Sequence, residues 1–305
     1  MSDKFKKDDA ASYDEVAGDF ERYTERFTVP IAERLLDFAA IPDGAHVLDV
    51  GCGTGVVARL IARRQPNTKV TGLELSAGMR ETAKGLIEGE GLDGQIEIAA
   101  GDAEALDYSD ESFDAVVSLY ALRHFPDPAK AVAEMRRVSK PGARTVVGVG
   151  SAPPLGSQGF FAAALERIYT AGLALMGRGP LYATATLDEM LDDYLGEPLP
   201  EEEAQWTHGT QSFSEPVRNL MSTNGFVEVT TRWVGQKSVI ASIDDFWRLQ
   251  ATFSSRARKR LPSASDKELD ALKRAFETRC QDRIHNGGKL IYKSGAQLTR
   301  GWARS

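Results

Sequence analysis

The chain has 305 residues, 42% of them apolar and 27% charged, with a formal net charge of −7. These proportions allow a sizeable core in one large domain with insertions. The acidic balance excludes a surface built to neutralise phosphates, so no nucleic-acid partner is expected.

Cys52 and Cys280 are the only cysteines, and neither lies in a CxxC pair or a Cys/His cluster. No disulfide framework and no metal site is expected. The N-terminal MSDKFKKDDA is charged, lacks an apolar h-region and reads as a disordered leader of a cytoplasmic protein. Residues 12–40 read as one or two amphipathic helices that serve, with the leader, as a lid segment over 1–40.

After the turn signal Ile41-Pro42-Asp43-Gly44 a strand–helix rhythm begins. HVLDV (46–50) predicts a short buried strand, followed by a glycine turn and the helical VVARLIARR, which stops at Pro66. KVTGLEL (69–75) is the second strand, and Ser76 can cap the next helix. QIEIAA (95–100) and FDAVVSLY (113–120) are the third and fourth strands. Pro128 opens a helix that Pro141-Gly142 stops, and ARTVVGVG (143–150) is the fifth strand. This alternation predicts right-handed βαβ units and a parallel sheet covered on both faces.

Past Gly150 the rhythm breaks. Residues 151–215 are expected to form a helical cap over the active site, and 216–305 to complete the core. FVEVTTRWV (226–234) and GKLIYKSGAQLTRGWA (288–303) predict strands separated by helices over 243–286, broken at Pro262. They are expected to pair antiparallel at one edge of the sheet. The predicted fold is therefore α/β: a doubly wound, Rossmann-like, mostly parallel seven-stranded sheet with an antiparallel last strand and a helical cap.

The chemistry concentrates in VLDVGCGTG, residues 47–55. A strand ends in Asp49, turns through Gly51, Gly53 and Gly55, and opens into a helix. Glycines suit a tight turn that must approach a ligand without a Cβ. The helix N-terminus favours a carboxylate and Asp49 an ammonium, so the pair suits an amino-acid moiety better than a pyrophosphate. Glu74, at the end of the second strand, can accept both hydroxyls of a ribose. Asp102, after the third strand in AAGDAEAL, can accept from an exocyclic amine such as that of adenine. Ala103 can offer its backbone N–H to the ring. Three acids at three strand ends thus read amino acid, ribose and adenine along one rim of the sheet.

LDVGCGTG, Glu74, GDAEAL and FDAVVSLYALRHFPDPAKAVAEMRRVSKPG together resemble the class I S-adenosylmethionine-dependent methyltransferases. They are similar to the branch holding the quinone-biosynthesis C-methyltransferases and many tailoring enzymes of secondary metabolism. The resemblance covers roughly residues 12–150. It implies S-adenosyl-L-methionine as cofactor, with contacts from Cys52, Thr54, Leu75, Met79 and Leu119. Tyr13 resembles the aromatic residue that closes over the cofactor in such enzymes.

The expected activity is methyl transfer to carbon or oxygen of a small, apolar acceptor of quinone, polyketide or isoprenoid kind. Transfer to nitrogen or a carboxylate, and a non-catalytic cofactor-binding scaffold, stand as alternatives. His124, in ALRHFPDP, and Tyr13 are the candidates for a general base; His124 could equally hydrogen-bond its own loop. Arg123 can orient an anionic acceptor or pair with Asp127. Cys52 reads as a small turn residue rather than a nucleophile. Trp206 and His208, in the cap, can line the pocket or serve surface or packing roles, and RARKR (256–260) reads as a solvated charged face. The apolar 159–177, interrupted by Glu166 and Arg167, is too short for stable membrane insertion. It reads as cap core, as a wall for an apolar substrate, or as the interface of a homo-oligomer.

Overall fold

The computed structural model describes residues 2–198 and 216–304. Trp206, His208 and the acidic run 201–203 lie outside the described residues.

Three helices, α1 (Ser2–Asp14), α2 (Ala17–Phe27) and α3 (Val29–Ala39), precede the first strand. Then come β1 (His46–Val50), α4 (Val56–Arg64), β2 (Lys69–Glu74), α5 (Ala77–Gly89), β3 (Ile96–Ala100) and β4 (Phe113–Leu119). A 3-10 turn at Leu122–His124 leads to α6 (Pro128–Val138) and β5 (Ser139–Gly150). Next are α7 (Gln158–Leu175), β6 (Leu181–Tyr182), α8 (Asp188–Leu195), α9 (Val217–Thr223) and β7 (Phe226–Ile240). Helices α10 (Ile243–Phe253), α11 (Ser255–Arg260) and α12 (Asp266–His285), and strand β8 (Leu290–Ala303), complete the chain.

By internal packing the chain divides into two units. The described parts of 1–151, 207–234 and 296–305 form one, and those of 152–206 and 235–295 the other. In the first, β3-β2-β1-β4-β5 are hydrogen-bonded in that order and all parallel. Strand β8 closes the series antiparallel to β5, from Arg144 opposite Trp302 to Gly150 opposite Ala296, and β7 pairs with β8. In the second unit the short β6 lies parallel to the start of β8, Leu181 opposite Leu290. The described strands thus number eight where the sequence predicts seven; two-residue β6 carries no periodicity to announce it.

Pleating explains why the central strands are apolar throughout. Val47, Val117 and Val146 pack into one cluster with Leu35, Ala58 and Ile61, while their neighbours Leu48, Val116 and Val147 pack into another with Met135 and Met221. Both faces are covered, so both side-chain rows must be apolar. Local chemistry sets the helix starts: the Ser76 hydroxyl accepts from the Met79 N–H to begin α5, and Asp127 accepts from Lys130 N–H to begin α6, with Pro128 in its first turn.

Two expectations need correction. The leader is helical, not disordered: α1 carries few apolar residues, but its buried Phe5 and its polar ties to strand-end loops hold it. The basic run at 256–260 is not a solvated face. Arg258 and Arg260 are buried, Arg256 and Arg260 pair with Asp192, and Arg258 donates to the Thr252 carbonyl. Spacing shows only that cations recur; the facing acid lies 64 residues upstream of Arg256.

Candidate active site

Strand order reverses direction at β1, whose neighbours are β2 on one side and β4 on the other. At such a switch point the loops from adjacent strands lead away from one another, opening a crevice at the carboxyl ends. The three strand-end acids Asp49, Glu74 and Asp102 lie along this rim.

The turn after β1 is built by glycine. Gly51, Gly53 and Gly55 all have positive φ, at 70°, 55° and 79°. A Cβ on Gly51 would lie 2.3 Å from that of Ala121, whereas Gly53 faces open space. The N–H groups of Gly51 and Cys52 donate to the Leu73 carbonyl, pinning the turn to the end of β2.

Asp49 is 1% exposed, and its Oδ2 has no hydrogen-bond partner. Burial pushes its carboxyl up to about 7, and the nearby charge of Glu74 pushes the same way. Glu74 is also raised by burial, against the pull of the backbone N–H groups it accepts. Its Oε2 accepts from Gly53 N and its Oε1 from Ser76 N, both at 2.9 Å. Each oxygen keeps lone-pair capacity for a further donor. Asp102 accepts at Oδ1 from Glu104 N and at Oδ2 from Lys6 Nζ, 2.9 and 2.6 Å.

Helix α1 runs past these loops and ties to three of them. Lys6 bridges Asp102 and Glu104. Burial alone would lower its ammonium pKa, but the bonds and charges of those two acids hold it above the usual value. Asp14 accepts from Ser76 Oγ and Gly78 N at 2.5 and 2.8 Å. Between them Asp9, 6% exposed, meets His124 Nδ1 at 3.0 Å, while the Tyr13 hydroxyl lies 3.2 Å from His124 Nε2. The Nδ1-protonated tautomer follows from this network: it donates to Asp9 and leaves Nε2 as an acceptor.

The two sequence candidates for a base are thus brought together, and Asp9, which the sequence reading missed, joins them. Its only sequence signal is an acid four residues before Tyr13, indistinguishable from the other charges of the leader. Also missed was Tyr120, left-handed at φ 66° directly after β4. That kink, worth roughly 1–3 kcal/mol of strain, starts the turn that sets Ala121 against Gly51.

The remaining residues fall out variously. Met79, Cys52, Ala103 and Leu119 are buried around the rim, and Leu75 is exposed. The buried Thr54 turns its hydroxyl to Glu21, which also binds Arg59. Arg123 donates to the Gly150 carbonyl, and the Asp127 side chain caps α6. Among the described residues there is no His/Cys/Asp/Glu group able to hold a metal.

Residues 48–147, from inside β1 to inside β5, match the family model described as a methyltransferase domain. This stretch is a methyltransferase domain, and its motifs are similar to those of the class I S-adenosylmethionine-dependent enzymes.

Relatives agree on that domain. The chain is 33% identical over 170 residues to a ubiquinone/menaquinone biosynthesis C-methyltransferase of Desulfotalea psychrophila, a match covering 54% of this chain and 66% of that protein. It is 37% identical over 139 residues to the methyltransferase GfsG of Streptomyces halstedii, covering 46% of this chain and 47% of that one. The chain thus spans less than two thirds of the length of these relatives. The solved structure of YcgJ from Bacillus subtilis, 20% identical, covers 90% of this chain and 98% of its own at a TM-score of 0.51, a likeness of fold.

The methyltransferase domain fits its cofactor on structural grounds. The orphaned, buried Asp49 oxygen asks for a cationic donor, the open side of Gly53 leaves backbone accessible, and Glu74 has acceptor capacity to spare.

Proposed function

We propose that this chain transfers a methyl group from S-adenosylmethionine to carbon or oxygen of a small, apolar, acidic acceptor such as a phenol or enol, as a tailoring step of secondary metabolism. The observation that carries the reading is the Asp9–His124–Tyr13 relay beside the cofactor rim. A nitrogen nucleophile with a free lone pair needs no such base, whereas a phenol or enolisable carbon does. The names of the relatives point the same way: one acts in quinone biosynthesis and another is a probable tocopherol O-methyltransferase of rice.

When bound, the cofactor supplies an electrophilic methyl already activated by the sulfonium charge. Asp49 would hold the ammonium of the methionine part and Glu74 would accept from the ribose hydroxyls. Asp9 fixes the His124 tautomer, so that Nε2 accepts a proton from Tyr13 as Tyr13 takes one from the acceptor hydroxyl. The oxygen or ring carbon so deprotonated would be the nucleophile, which the site has to orient while excluding water. Arg123, held to the Gly150 carbonyl, stays beside the same turn.

The test has two parts. Calorimetric titration should show binding of S-adenosylmethionine and S-adenosylhomocysteine but not NAD. With a phenolic or enolic acceptor, His124→Ala should lower kcat by roughly 10²–10⁴-fold and leave S-adenosylhomocysteine affinity within a few fold. Full turnover by that variant removes the relay from the mechanism; absence of any sulfur-ligand binding removes the activity.

A further inference from the structure

Helix α7 is an anomaly of packing in the second unit. Among its residues of described burial none is buried, although sixteen of its eighteen residues carry no charge. Phe161, Leu165, Ile168, Tyr169 and Leu175 stand 59–93% exposed, as does Met176 just beyond its end. Its one acid, Glu166, faces the body of the unit, where it pairs with Lys237 at 2.5 Å and Lys293 at 2.6 Å. The helix is therefore anchored through a polar contact on one side and presents its apolar side outward. That is the reverse of an ordinary surface helix.

The outward positions are not scattered. Phe161, Leu165, Ile168, Gly172 and Leu175 follow one another at steps of four, three, four and three, the seam of a helix that packs along another helix. With Tyr169 and Met176 beside them, these side chains present on the order of 800 Å² of apolar surface. An ordinary monomer's largest patch is about 300–600 Å², whereas each partner of a stable interface gives ~800 Å².

We propose that the α7 seam is the contact between two copies of this chain. A two-fold contact is self-complementary, and the seam's ends, Phe161 and Leu175, each lie seven residues from Ile168. With Ile168 on the axis and the helices antiparallel, Phe161 of one copy meets Leu175 of the other. Leu165, a large knob, falls against Ala171 and Gly172, where the absence of bulk leaves a hole for it. An anionic lipid surface is the poorer occupant. The chain carries −7, and the helix has one cation, Arg167, rather than the basic polar face that interfacial helices use.

The experiment is sedimentation of the full chain at micromolar concentration, with circular dichroism and S-adenosylhomocysteine binding as controls for folding. The wild type is expected as a dimer, and Leu165→Glu with Ile168→Glu as a folded, ligand-binding monomer. Ile168→Cys is expected to give a disulfide-linked dimer on oxidation against a low background, because Cys52 and Cys280 are both buried. A monomeric wild type, a dimer that survives the double glutamate change, or an Ile168→Cys dimer that fails to cross-link each overturns the proposal. So does a monomer carried down by phosphatidylglycerol vesicles through these same side chains, which gives the face to a membrane.

Discussion

Asp49 shows how a single buried acid can tie ligand affinity to pH. Its carboxyl sits near 7 instead of 3.8 because burial penalises the charge and the Oδ2 atom has no donor. If Asp49 holds the cofactor's ammonium as proposed, only its ionised form binds, and binding below pH 7 must first expel a proton. Affinity for S-adenosylhomocysteine is expected to climb by up to tenfold per pH unit below about pH 7 and level off above it; calorimetry in buffers of different ionisation enthalpy reads the proton release. Asp49→Asn should bind weakly with a flat profile, and a sloping one would move the titration to another group. Without ligand the sign reverses. A folded-state pKa above the unfolded one stabilises at low pH, and that contribution is lost as pH rises through about 7. Urea titrations of the ligand-free chain should show Asp49→Asn removing this loss.

At the scale of elements, α1 is the part whose role the sequence hides most. Its ties to the loops after β2, β3 and β4 run through a few polar side chains: Asp14, Lys6, and Asp9 with Tyr13. Lys6 already bonds an Asp102 oxygen, so if Asp102 is the acceptor for the adenine amine, cofactor entry requires this contact to shift. Lys6→Met should raise the association and dissociation rates of S-adenosylhomocysteine together by about 3–10-fold, given the worth of a charge-assisted bond with one partner a third exposed. Stopped-flow rates equal to wild type would mean that α1 does not gate the site. Gly78 belongs to the same closure, since a Cβ there would fall 2.7 Å from the Asp14 Cα. Helix α1 escapes prediction because charged residues without apolar period look the same whether solvated or paired; α4, α5 and α6 were readable because caps, Pro and apolar spacing act within one turn.

Across the whole molecule, stability rests on the double-faced sheet. Leu48 is fully buried between β2 and β4, and Leu48→Ala should cost about 2–5 kcal/mol in denaturant unfolding; a loss under 1 kcal/mol would mean that the cluster around it collapses freely. Among the described residues no helix is long and apolar enough to cross a membrane.

The βαβ rhythm, the glycine turn and the three strand-end acids were all legible in the sequence, because each depends on residues within one turn or one strand of each other. The strand order that makes β1 the switch point was not, nor the grouping of 152–206 with 235–295, nor the meeting of Asp9 with His124 across 115 positions. Those depend on which surfaces come together once apolar faces are buried, and local spacing carries no record of that. What the sequence by itself determined is the strand-and-turn frame of the methyltransferase domain; the tertiary structure alone decided which side chains gather at its rim, because only burial brings a leader helix and a distant loop within hydrogen-bond reach.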